Sequence, residues 1–273
     1  MISNQIIQEA LVRLKRSGKS RIFLSEQSQS QLKNICLDDE VKPIAGISNE
    51  VKEQVAESVD QFNALKLTKG SKSENIIILK EALAKLFPNE KLLFGKGSLD
   101  PKILFLSDYP SAEEFQKNSL CVGNANDLME KIIKAMGINQ EDIYFTSIIK
   151  SKTLSTTLLQ KGISSLESNE LKLFIEYFKK ELSLVNPSII ISLGELGLSW
   201  LHGQNVENKE LNPVRGELFK FEEYSIIQTY NPSYLLLKDS LETKRLFWED
   251  LLLVMNELKL EISDKQKNYF KKQ

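Results

Sequence analysis

From about residue 74 onward, short apolar runs alternate with longer stretches of helical period. Four runs stand out: KILFLS (102–107), DIYFTSIIK (142–150), SIIISLG (188–194) and YSIIQTY (224–230). Each is continuously apolar rather than alternating, which is the pattern of a strand covered on both faces in a parallel sheet. Helices are expected between and after them at 112–118, 124–136, 167–184, 195–202 and 241–258. Strand and helix in alternation predict an α/β fold. Its form is a three-layer α/β/α domain with a central, mainly parallel four-stranded sheet and right-handed crossovers. The first 65 residues read differently. Ile6, Ile7, Leu11 and Leu14 keep a helical period, RIFLS (21–25) is one short strand candidate, and LDDEVKPIAGISNE (37–50) is a polar connection. The expected organisation is a mostly helical extension over 1–65 of unknown role, a main domain over 66–260 and a basic tail over 261–273.

In open α/β sheets, ligands sit beyond the carboxyl ends of the strands. Function is therefore sought in SDYPS (107–111), TSIIKSK (146–152), LGE (193–195) and TYNPSY (229–234). Ser111 with Glu114 three residues on forms a capping box, which accounts for both residues and leaves Asp108 unexplained. Asn231 before Pro232 fits a helix N-cap with proline in the first helical position. An amide there can equally face a ligand. LGELG is a glycine-containing strand-to-helix turn of low specificity that could hold a phosphate. His202 reads as a structural residue near a helix end.

Composition narrows the chemistry. A chain of 273 residues, 41% hydrophobic, can bury one full core and a small second unit. With 36 basic and 37 acidic residues the net charge is −1, so any attraction to nucleic acid must come from local patches. The clearest is RLKRSGKSR, with Arg13, Lys15, Arg16, Lys19 and Arg21, and the tail KQKNYFKK is a second. Each also fits a solvated helix end or a frayed terminus. Cys36 and Cys121, with His202 as the only histidine, supply neither a disulfide framework nor a thiolate or imidazole metal site. No window approaches the roughly 20 apolar residues of a membrane span, and the N-terminus lacks a signal-peptide core. A soluble, cytoplasmic monomer without membrane contact is the expectation.

The stretches LLFGKGSLDPKILFLSDYPSAEE, CVGNANDLMEKIIKAMGINQEDIYFTSIIKSK, VNPSIIISLGELG, PVRGELF and TYNPSYLLLKDSLETKRLFWEDLLLV, in that order, resemble the uracil-DNA glycosylase superfamily. The likeness is closest to its family 4 and covers about residues 74–258. The family's first motif, Gly-Glu-Ala-Pro-Gly, falls on Ser107 to Ser111, so its acid becomes Asp108 while Tyr109 and the two serines replace smaller residues. The family's base-stacking phenylalanine aligns with Cys121, its uracil-reading asparagine with Ser147, and its His-Pro-Ser/Ala motif with Asn231, Pro232 and Ser233. The mismatch-specific branch of the superfamily carries asparagine at that last place. Family 4 holds an iron–sulfur cluster on four cysteines. The matching positions, Lys80, Leu83, Ser151 and one of residues 167–169, carry no thiolate, so no cluster and no other cofactor is expected.

The resemblance implies hydrolysis of the N-glycosidic bond of a flipped uracil or other damaged base in DNA, as in base excision repair, by a diverged active site. Asp108 and Asn231 would be catalytic. Tyr109, Pro110, Cys121, Ser147, Pro232 and Ser233 would line the base pocket. Tyr234, Leu235 to Leu237, Lys238, Arg215, Arg13 and Arg16 would meet single- or double-stranded DNA. The alternative is a catalytically inactive nucleic-acid-binding or interaction module on the same fold. A third reading places a small molecule or nucleotide at the same strand ends.

Overall fold

The computed structural model describes residues 62, 64–161, 168–194 and 215–270. The basic cluster with Arg13 and Arg16, the RIFLS segment, the helix expected at 195–202 and His202 lie outside them. All four apolar runs contain strands: β2 (Ile103–Ser107), β3 (Ile143–Ser147), β4 (Ile189–Ser192) and β6 (Tyr224–Gln228). They lie parallel, with Phe105 opposite both Phe145 and Ile191, and Ile190 opposite Ile226. Two further strands, β1 (Lys96–Gly97) and β5 (Leu218–Phe221), pair antiparallel with β3 and β6. The sheet therefore has six strands in the order β1-β3-β2-β4-β6-β5, not the four expected from the sequence. The reason is physical. Edge strands are covered on fewer sides; β1 is two exposed residues, and β5 alternates exposed with half-buried positions, so neither needs a continuous apolar run.

The apolar runs divide their side chains between two helical layers, because successive residues of a strand point to opposite faces. Leu104, Leu106, Tyr144, Ile190 and Ile226 face α1 (Lys72–Leu86) and α5 (Ser168–Val185), meeting Leu79, Leu83, Phe174 and Phe178. Ile103, Phe105, Ile189, Ile191 and Ile227 face α3 (Gly123–Met136) and α7 (Leu241–Glu257), meeting Met129, Ile133, Leu251 and Val254. This is the expected α/β/α arrangement. Among the described residues the remaining α-helices are α2 (Ala112–Lys117), α4 (Lys152–Lys161), α6 (Pro232–Lys238) and α8 (Asp264–Lys267).

Two ends of the domain join this core. The Phe62 ring stacks on Tyr177 at 6.1 Å between centroids. At the other end, the Trp248 indole N–H donates to the Gln266 carbonyl at 2.8 Å, and the Gln266 amide donates to the Ala135 carbonyl at 2.8 Å. Residues of the expected tail thus close over α3 and α7.

The run at 142–150 leaves the sheet after Ser147, and the turn that follows is pinned from two sides. The Ile148 and Ile149 N–H groups donate to the carbonyls of Ser107 and Asp108, each at 3.0 Å. Behind the turn, the Lys150 ammonium donates to the Ser147 carbonyl at 2.6 Å and pairs with Glu181 at 3.0 Å, both side chains fully buried. The Glu181 carboxylate also accepts from the Tyr144 and Thr146 hydroxyls at 2.9 and 2.7 Å, so its lone pairs are well used. Burial draws the ammonium of Lys150 below its ordinary pKa, against the opposing pull of Glu181.

Candidate active site

Asp108 follows β2 directly, Gly194 follows β4 by two residues, and Asn231 follows β6 by three. Since β2 neighbours β4 and β4 neighbours β6, the three loops leave the same edge of the sheet side by side. The geometry brings Asp108 and Asn231 onto one turn. The Asn231 amide nitrogen donates to the Leu193 carbonyl at 3.1 Å. At the next residue, a Cβ added to Gly194 would overlap the Asp108 carboxylate, so the acid lies directly against the glycine backbone. Glycine at 194 is what admits a carboxylate this close. Read alone, LGELG signals only a common turn; its specific role needs the neighbouring strand.

Asn231 caps α6 as its sequence context predicts. Its side-chain oxygen accepts from the Ser233 N–H at 2.9 Å, and Pro232 takes the first helical position. Cap and bridge to Leu193 together use the oxygen and one amide hydrogen. A primary amide has two such hydrogens, so one donor remains for a ligand. Pro232 is buried and Ser233 exposed.

On the β2 side, Ser111 and Glu114 form the expected capping box at the start of α2. Glu114 does more than cap, since its carboxylate also accepts the Cys121 backbone N–H at 2.6 Å. That bond holds Cys121 in a left-handed conformation (φ 53°) between α2 and α3. Cys121 is half-buried and packs against the cluster beneath α3, and its thiol is pushed up to about 12, first by burial and then by the Glu114 charge. It is a neutral thiol in an apolar wall. Pro110 is buried, and Tyr109 is half-buried against the opposite core, its phenol raised by burial and by the Asp108 charge.

Ser147 is placed differently from the expectation of a base-edge contact. It is fully buried, and its hydroxyl donates to the Ile149 carbonyl at 2.8 Å inside its own turn. Leu235 is a clear correction: it is 2% exposed and belongs to the core with Phe247 and Leu251, so it is no wedge. In a helix, only part of a Leu-Leu-Leu run can face outward, and the register of α6 turns that of Leu235 inward. Tyr234 (40% exposed), Leu236 (43%) and Leu237 (81%) remain at the surface, with Leu241 (75%) beyond them. Lys238 is exposed beside Tyr234, its ammonium 5.9 Å from the ring centre. Arg215 is not presented to solvent as a free cation, because its guanidinium donates to both Asp250 carboxylate oxygens at 2.8 Å and to the Leu246 carbonyl at 3.1 Å.

Of the positions matched to cluster-ligating cysteines, the three that are described carry no thiolate and are engaged otherwise. Leu83 is fully buried in hydrocarbon. The Lys80 ammonium lies over the Phe94 ring. The Ser151 hydroxyl accepts the Leu154 N–H at 3.1 Å in the first turn of α4. The fourth position, at 167–169, lies outside the described side chains.

Comparison with known proteins agrees with this architecture. Residues 94–252 match the model of the uracil DNA glycosylase superfamily. A type-4 uracil-DNA glycosylase of Thermotoga maritima is 27% identical over 162 residues, which cover 59% of this chain and 79% of that protein. A type-4 uracil-DNA glycosylase of Archaeoglobus fulgidus is 22% identical over 152 residues, 54% of this chain and 73% of that protein. A DNA polymerase of Bacillus phage SP01 is 29% identical over 149 residues, 54% of this chain but only 15% of the polymerase.

Proposed function

The chain belongs to the uracil DNA glycosylase superfamily, and from that premise we propose that it acts on DNA in base excision repair, hydrolysing the N-glycosidic bond of an extruded base without an iron–sulfur cluster. The observation that carries this reading is the convergence of Asp108 and Asn231 on the Leu193–Gly194 turn, at the carboxyl ends of three adjacent parallel strands.

An extruded base would enter between the 108–111 and 231–234 loops, at an unstacking cost of a few kcal/mol. As the bond to the sugar breaks, the electron pair leaves with the base and positive charge grows on the sugar ring. The Asp108 carboxylate stabilises that charge and orients the water that adds to the sugar carbon, and the proton this water loses ends on the departed base anion. The remaining Asn231 amide hydrogen donates to the departing base as it becomes anionic, a contact that strengthens in the transition state. Pro110, Cys121 and Pro232 form apolar wall, and Cys121 gives far less stacking surface than an aromatic ring would. With the Ser147 hydroxyl turned inward, the base edge is read by fewer groups, so discrimination among bases is relaxed. The exposed Tyr234, Leu236, Leu237 and Lys238 meet the strand.

One observation favours the second reading, a binding module without catalysis: both ends of the Asn231 amide already serve the fold. A base-release assay separates the two. Purified protein in excess is incubated with labelled oligonucleotides carrying uracil, a T/G mismatch, hypoxanthine or xanthine, alongside Asp108→Ala. Release that vanishes in the variant supports the enzyme. Binding without release from any of the four substrates supports the module.

A further inference from the structure

The proposed DNA-facing loop is braced by a column of stacked groups that begins in the core. Asp250, on α7 and 3% exposed, holds the Arg215 guanidinium through both oxygens and also accepts the Thr229 hydroxyl at 2.6 Å. The guanidinium carbon lies 5.3 Å from the Tyr230 ring centre. Tyr230 stacks on Tyr234 at 5.4 Å with 22° between the planes, and the exposed Lys238 ammonium comes next. The backbone of Arg215 is fixed as well: it bridges to Gln228, and the Gly216 N–H donates to the Gln228 carbonyl at 3.3 Å. Gly216 has φ 78°, and a Cβ there would stand 3.0 Å from the Asp250 carboxylate, so the approach of this segment to α7 depends on glycine.

All three bonds leave one guanidinium nitrogen, Nη1, which anchors the group to a carboxylate that is 3% exposed, while the flat face of the guanidinium rests on the Tyr230 ring. From this geometry we infer that Arg215 is a positioning residue: held by Asp250, it fixes the Tyr230–Tyr234 stack so that the exposed Tyr234 ring forms a platform for an unstacked nucleobase of a bound DNA strand. The inference rests on the reading that the chain acts on DNA, and extends it to a residue pair and a ligand face. Lys238, on a flexible and exposed stem, is the group in this column able to exchange its ring contact for a phosphate.

The test is the affinity of the full chain for a short labelled single-stranded oligonucleotide across a salt series, by fluorescence anisotropy. Tyr234→Ala should weaken binding about five- to a hundredfold, the range of one base stacked on an aromatic ring, with the salt slope unchanged. Tyr230→Leu and Arg215→Met should weaken it in the same salt-independent way, and Arg215→Lys should fail to rescue, since it restores charge but not the flat guanidinium face that rests on Tyr230. Lys238→Met should instead lower the slope of log K against log salt by about one. If Arg215→Met lowers that slope and Arg215→Lys restores it, Arg215 is a phosphate contact and the inference is overturned. Wild-type affinity in Tyr234→Ala also overturns it, as does a wild-type chain that binds no oligonucleotide at low salt. The expected pattern in a protein that releases no base would leave the inference standing and remove the glycosylase reading.

Discussion

Gly194 is the residue whose smallest change says most. Its backbone conformation suits any amino acid, so Gly194→Ala should hold the fold, with a thermal midpoint close to wild type. The added methyl group meets the Asp108 carboxylate and must move it. Displacing one reacting group by about an ångström can lower a rate about a hundredfold, and single-turnover base release should fall by that order. Cys121 makes a second prediction at this scale. Only the thiolate is alkylated, and with a pKa of about 12 the Cys121 thiol is almost wholly protonated at pH 9, where an ordinary thiol is half ionised. Iodoacetamide labelling of Cys121 at pH 9, followed by peptide mass spectrometry, should be at least about a hundredfold slower in the folded chain than after denaturation. Equal rates would place the thiol in open solvent. The positions of Asp108 and Asn231 just past strand ends were legible in the apolar runs that precede them. The inward turn of Ser147 was not, because a hydroxyl can satisfy itself within its own turn and sequence does not show which way it points.

Among elements, the four parallel strands and the helices α2, α3, α5 and α7 could be read from pattern, since burial on both faces demands unbroken apolar runs and helix faces repeat at their own period. The elements that escaped were governed by something else. β1 and β5 are edge strands formed by pairing rather than burial. α4, KTLSTTLLQK, is rich in Ser and Thr, poor helix formers alone, and several of its hydroxyls donate back to carbonyls four residues earlier. Of the wedge expected at Leu235 to Leu237, the last two residues are exposed and the first is buried, because helix register is needed to separate them. The turn between β3 and α4 rests on the Lys150–Glu181 pair, which nothing in the sequence links. Lys150→Met should leave the Glu181 carboxylate buried without its cation and destabilise the protein by about 3–5 kcal/mol. The double variant Lys150→Met/Glu181→Leu should recover most of that loss in urea unfolding. Equal stability of the single variant and wild type would show that the carboxylate is satisfied by its hydroxyl partners alone.

For the molecule as a whole, the sheet does two jobs. Its two faces hold separate apolar layers, which lets the interior be built from ordinary strand and helix packing. Its carboxyl edge gathers the loops after β2, β4 and β6, so an acid from residue 108 and an amide from residue 231 meet at one turn although 123 positions separate them in the chain. A net charge of −1 means that any affinity for nucleic acid must come from local cations rather than from the global field. The superfamily match and the fold agree, and the proposed chemistry requires Asp108 and Asn231 to act together at the carboxyl edge. The most direct test is single-turnover release from a uracil-containing single-stranded oligonucleotide, comparing wild type with Asp108→Asn and Asn231→Ala, with unfolding measured on the same preparations. The expected result is release by the wild type, loss of at least about two orders of magnitude in each variant, and a stability change of only about 1 kcal/mol for the lost cap in Asn231→Ala. Release that persists in both variants, or a wild type that binds the oligonucleotide and leaves the base in place, would contradict it and return Asn231 to the work of a helix cap.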